Sequence, residues 1–140
     1  MMPPKRRSTI RGQHGFISRS FMLAIVFFAL LGILVIDGGS WAFQNFQMHD
    51  AAAVGAREAA TVILKSGTPD QACKAAQAAV IEHNSSLELN CEAEDFEVLK
   101  SGEVAVTLRK TIPTVVIGHF GPTKEWADLV VVETAEASPF

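Results

Sequence analysis

Two cysteines, four histidines and one carboxylate beside a long apolar run are the side chains of this 140-residue chain with the most chemistry to offer. Cys73 and Cys91 are the only cysteines, with seventeen residues between them. They read either as a disulfide or as two buried free thiols. Closing a loop of that length is worth about 3 kcal/mol in the chain-entropy model. That is a large share of the stability of so small a domain, and it favours the bridge. The histidines, at 14, 49, 83 and 119, stand at no metal-ligand spacing. There is no nucleophile elbow, phosphate loop or zinc motif. His49-Asp50 falls on an exposed helix face and reads as a solvated pair, not a catalytic one. No catalytic residue, metal ligand, cofactor or small-molecule substrate is assigned, and the chain is not expected to be an enzyme.

Asp37 is unusual because of what precedes it. Phe21–Ile36 reads FMLAIVFFALLGILVI, sixteen residues without a polar side chain. At 1.5 Å per residue a helix of that length covers roughly 24 Å of a hydrocarbon core about 30 Å thick. Phe16 and Ile17 extend the run on one side, where Arg19 can snorkel towards the headgroups. On the other side Gly38, Gly39, Trp41 and Phe43 extend it, and Trp41 suits the interfacial belt. An acid at the centre of a span costs about 2.5–3.5 kcal/mol on insertion scales, so Asp37 belongs at the outer edge. Arg19, Asp37 and Trp41 are thus the expected membrane-boundary residues. Asp37 either marks that boundary or pairs with a cation on a partner.

Charge sets the orientation. Residues 1–36 carry Lys5, Arg6, Arg7, Arg11 and Arg19 and no acid, whereas all fifteen acids and only seven bases follow. Basic flanks stay in the cytoplasm. The expected protein is a single-pass protein of the cytoplasmic membrane, N-terminus inside and the remainder outside, where disulfides persist. Five cations beside a span are explained by topology, so no nucleic-acid partner is expected. The rival reading is a cleaved signal peptide. Ser40 and Ala42 give a small-x-small site before Phe43, but the apolar run exceeds the usual signal core.

These residues must be positioned by a few elements. From Trp41 to Leu64 there is no proline and the interior is AAAVGAREAA, which favours helix. Met48, Ala52, Ala56, Ala59 and Ile63 share one face, and Gln47, Asp50, Arg57, Thr61 and Lys65 the other. Ala51, Gly55 and Ala59 recur at four-residue spacing. Such a stripe either lets a neighbouring helix approach closely or is simply helix-forming alanine. On the first reading a bulky residue at Gly55 disturbs assembly but leaves the domain folded. Gly67 is expected to end this helix, with Lys65 in its last turn. Thr68-Pro69-Asp70-Gln71 starts another, with a capping Thr, Pro at the first helical position and Gln three residues on. It is expected to end near Asn84-Ser85. Then the period changes to two: Leu87, Leu89, Cys91 and Ala93, and later Val104, Val106 and Leu108, alternate with polar residues. Lys100–Glu103 forms a turn, Pro113 closes a strand, Gly118, Gly121 and Pro122 form a loop, and LVVVET follows.

The resulting expectation is an α+β chain. It has a basic tail (1–15), a transmembrane helix (16–42), a membrane-proximal helix (43–66) and a small extracytoplasmic domain (67–140). In that domain a short second helix packs on a three- to four-stranded antiparallel meander.

In order along the chain, four stretches resemble the TadE/TadG-like proteins of Flp (tight adherence) pilus systems. They are Arg11-Gly12-Gln13 before the span, ILVIDGGS (Ile33–Ser40) at its end, AAAVGAREAA (Ala51–Ala60) after it, and a closing β region, VAVTLRKTIP (Val104–Pro113) and LVVVETAEA (Leu129–Ala137). The resemblance covers about residues 11–137. It implies a minor pilin-like or assembly component of a Flp/type IVb pilus or related secretion apparatus. Such a component acts through contacts with the bilayer and other subunits, with no cofactor. The chain departs from the family's prepilin-peptidase pattern, which places Glu five residues after the cleaved Gly. Here Ile17 follows Gly12 and Ser20 follows Gly15 at that distance, so the segment 16–42 is expected to remain. The alternative function is a membrane-tethered extracytoplasmic binding module unrelated to pili.

Overall fold

The computed structural model describes residues 14–92, 94–119 and 121–136. The cationic Lys5, Arg6, Arg7 and Arg11, the Arg11-Gly12-Gln13 stretch, Ala93 and Ala137 lie outside the described residues. The chain divides between Ile36 and Asp37 into two units.

Helix α1, His14–Leu64, contributes to both units. In the first unit it carries the apolar run. Between Phe21 and Ile36 every residue except the half-buried Ile33 is exposed, with Leu34 at 69% and Phe28 at 67%. Aliphatic and aromatic side chains this dense normally supply a core, yet here no protein covers them. By length and composition the helix can cross a membrane, as an anchor or as a signal segment.

In the second unit α1 becomes a core helix. Met48, Ala51, Ala52, Ala56 and Ala59 are fully buried. The helix ends at Leu64 with the paired bonds of a left-handed terminus: Ser66 N–H donates to Ile63 O at 3.0 Å and Gly67 N–H to Val62 O at 2.9 Å. The residue that takes the positive φ, 62°, is Ser66. Gly67, expected to end the helix, stands one position further on.

Helix α2, Pro69–His83, begins as its sequence dictates. Thr68 Oγ1 accepts from Gln71 N–H at 3.3 Å and Gln71 Oε1 accepts from Thr68 N–H at 3.1 Å, so two otherwise orphaned donors are met. Asn84 caps the other end, its N–H donating to Val80 O.

Three strands, β1 (Phe96–Val98), β2 (Glu103–Thr111) and β3 (Asp128–Glu136), form an antiparallel sheet in that order. Val106 of β2 is flanked by Phe96 and Glu133, and Thr107 pairs with Val132. The β1–β2 turn holds Gly102 at φ 87°, a conformation glycine adopts without cost. Alternation puts Val104, Val106, Leu108, Leu129 and Val131 in the core with the faces of α1 and α2. The sheet therefore packs on both helices, not on the second alone. Two 3-10 helices, Ile117–His119 and Gly121–Ala127, occupy the β2–β3 connection.

The segment expected to begin the sheet does not join it. Leu87 and Leu89 are buried at 2% and 1% exposure, but residues 87–90 pair with no strand and Cys91 opens a turn. Alternate side chains point inward, which produces the period of two. The backbone bonds go elsewhere: Leu87 N–H donates to Asn84 O, and Leu89 O accepts from Gln77 Nε2.

Candidate functional site

The arrangement around Asp37 is built from two distant parts of the chain. Asp37 lies on α1 immediately after the apolar run and is 1% exposed. Its Oδ1 accepts the N–H of Val115 at 2.7 Å, and its Oδ2 accepts those of Val116 at 3.0 Å and Ile117 at 3.2 Å. Three successive amides converging on one carboxylate are a strong, charge-assisted arrangement. Two further bonds brace this segment. Thr114 Oγ1 accepts Gly118 N–H at 2.6 Å, and Thr123 Oγ1 donates to Ile117 O at 2.8 Å. Asp37 thus stands at the end of the exposed apolar run with both its oxygens engaged by backbone of its own chain. No side-chain pattern signals this arrangement, because three unremarkable amides are the partners.

Beside this knot lies a shallow apolar hollow lined by Gly38, Trp41, Ile117, Trp126, Asp128 and Leu129. Trp41, expected at a membrane boundary, is 41% exposed. Trp126, which sequence reasoning passed over, is 66% exposed, and Val115 is 60% exposed. A Trp flanked by charge in the stretch KEWAD was the one available hint. Arg19 is exposed on the apolar segment of α1.

The small-residue stripe has an occupant within the chain. Ala51, Gly55 and Ala59 are all buried, and Gly55 faces α2. A Cβ placed on Gly55 would stand 2.8 Å from Val80 Cγ2 and 3.4 Å from Ala76 O. The stripe therefore lets α1 and α2 of one molecule approach closely. The expectation that bulk at Gly55 leaves the domain folded is corrected, because such a side chain meets α2 first.

Cys73 and Cys91 are bridged, their Cα atoms 5.9 Å apart. The bridge ties the first half of α2 to the turn before β1, not to a strand as expected.

His49 and Asp50 do not form a pair with each other. His49 Nδ1 is 2.6 Å from Glu133 Oε1 on β3, and Asp50 Oδ2 is 2.9 Å from His83 Nε2 on α2. All four side chains are substantially exposed, and such pairs contribute about 0–1 kcal/mol. Among the described residues, no three His, Cys, Asp or Glu side chains gather as a metal site.

No family model matches this chain, and neither the curated proteins nor the solved structures contain a match.

Proposed function

We propose that this chain is a minor pilin-like or assembly component of a Flp-type (tight adherence) pilus or related secretion apparatus. In this reading it is anchored in the cytoplasmic membrane and acts through protein contacts. The observation that carries the reading is that α1 supplies both an exposed apolar segment and the main core helix of a disulfide-bridged domain. A domain that shares one helix with its anchor is covalently continuous with it through that helix. That suits a subunit fixed in an assembly better than a tethered receptor. The ordered resemblance of four stretches to TadE/TadG-like proteins supports the same reading. The bridge agrees with an oxidising compartment for the domain. Retention of the span is supported by Asp37, because a cut before Phe43 would remove the carboxylate that holds Val115–Ile117.

With the small-residue stripe filled by α2, contacts to other subunits fall on surfaces that remain open. Phe43 and Phe46 on α1 are 61% and 76% exposed. Phe46→Glu is expected to leave the protein abundant and its bridge intact but to abolish pili or secretion, and deletion of the gene is expected to do the same. Normal pili and secretion in the deletion strain would refute this function and leave the tethered binding module as the better reading.

A further inference from the structure

We propose that Val115 and Trp126, together with Trp41, seat in the headgroup layer of the bilayer that the apolar helix crosses, giving the folded domain a second contact with lipid. This rests on the anchored reading above but goes beyond it, since a helix anchor alone asks nothing of the β2–β3 connection.

Placement argues for it first. Asp37 is bonded to Ile36, the last residue of the exposed apolar run, and Asp37 Oδ1 is 2.7 Å from Val115 N. The backbone at Val115 is therefore held within one residue of the point where the span ends. Trp41 follows Asp37 by one helical turn and shares a hollow with Trp126 and Ile117.

Chemistry argues for it next. Trp126 and Val115 are each more than half exposed, an unfavourable state in water that burying the apolar surface would relieve. Trp is the residue most suited to the membrane interface, where its ring is apolar and its N–H stays hydrated. Lys124 and Glu125 are both exposed in the same 3-10 helix as Trp126, so this short helix carries no net charge and its fit to the interface rests on its aromatic and apolar side chains. Trp41, which shares the hollow with Trp126, follows the exposed apolar run by five residues on the same helix, so the bilayer is the occupant that this patch fits. In this arrangement Asp37 acts as a positioning residue, holding the Val115–Ile117 backbone beside the residue that follows the span.

The test uses the full chain in vesicles of mixed phosphatidylcholine and phosphatidylglycerol. Trp41→Phe leaves Trp126 as the sole tryptophan. Its emission should be blue-shifted. Lipid brominated near the top of the acyl chain should remove most of its intensity, and lipid brominated near the chain end should remove little. A polarity-sensitive label on Val115→Cys, with both tryptophans kept, should report the same shallow depth. Water-like, unquenched emission from both probes would overturn the proposal. So would blue-shifted emission that resists bromine and weakens as protein is diluted in lipid, which would mean a neighbouring protein covers the patch. Resistance to alkaline carbonate extraction is measured in parallel. If the chain washes off, the anchored reading fails and this proposal with it; if the chain stays and the probes see water, only this proposal fails.

Discussion

Gly55 and Val80 are in contact across the α1–α2 interface so closely that a Cβ on Gly55 would stand 2.8 Å from Val80 Cγ2. Real atoms do not tolerate that distance, and Val is stiff about its first torsion, so relief requires the helices to move. Replacing Gly by Ala in a helix is worth up to about 1 kcal/mol, whereas overpacking a core costs about 1–3 kcal/mol. Gly55→Ala should therefore lower the urea midpoint, and Gly55→Leu should lower it much further. In a double-mutant cycle Gly55→Ala should cost less in a Val80→Ala background than alone. Additive losses would mean that the two residues are not the limiting contact.

The Cys73–Cys91 bridge closes a loop with a sequence separation of 18. Its removal by Cys73→Ala with Cys91→Ala should cost about 3 kcal/mol. Reductant should shift the unfolding midpoint of the wild-type protein towards that of the double variant and leave the variant's unchanged. Peptide mapping without reductant should recover the linked pair, and two fully alkylated thiols would contradict the bridge.

Asp37 holds the Val115, Val116 and Ile117 amides. Asp37→Ala leaves three donors without their acceptor. A buried donor so abandoned costs about 1–3 kcal/mol, less where water enters. Hydrogen exchange at these three amides should accelerate well before exchange at β2 or α2 changes. Asp37→Asn retains one carbonyl oxygen and should lie between the wild type and Ala. Unchanged protection in Asp37→Ala would show that the segment is held by its other bonds.

What the sequence determined by itself was everything governed by near neighbours. Thr68, Pro69 and Gln71 specify the start of α2 because a capping box closes within four residues. The Lys100–Glu103 turn and the alternation of Val104, Val106 and Leu108 mark β2 for the same reason, and an uninterrupted apolar run needs no partner to be recognised. The tertiary structure decided which element fills each surface. The stripe at Ala51, Gly55 and Ala59 announces a close helix contact, but its spacing is the same whether the partner belongs to this chain or another. Only the fold brings Ala76 and Val80 against it. Leu87 and Leu89 alternate like a strand, and only the fold shows that no neighbouring ladder is within reach of them. Asp37 and Val115 are 78 residues apart, and the donors are backbone amides, identical at every non-proline position. No pattern of side chains can encode which three of them a carboxylate will meet, because that pairing is fixed by where folding brings the chain back.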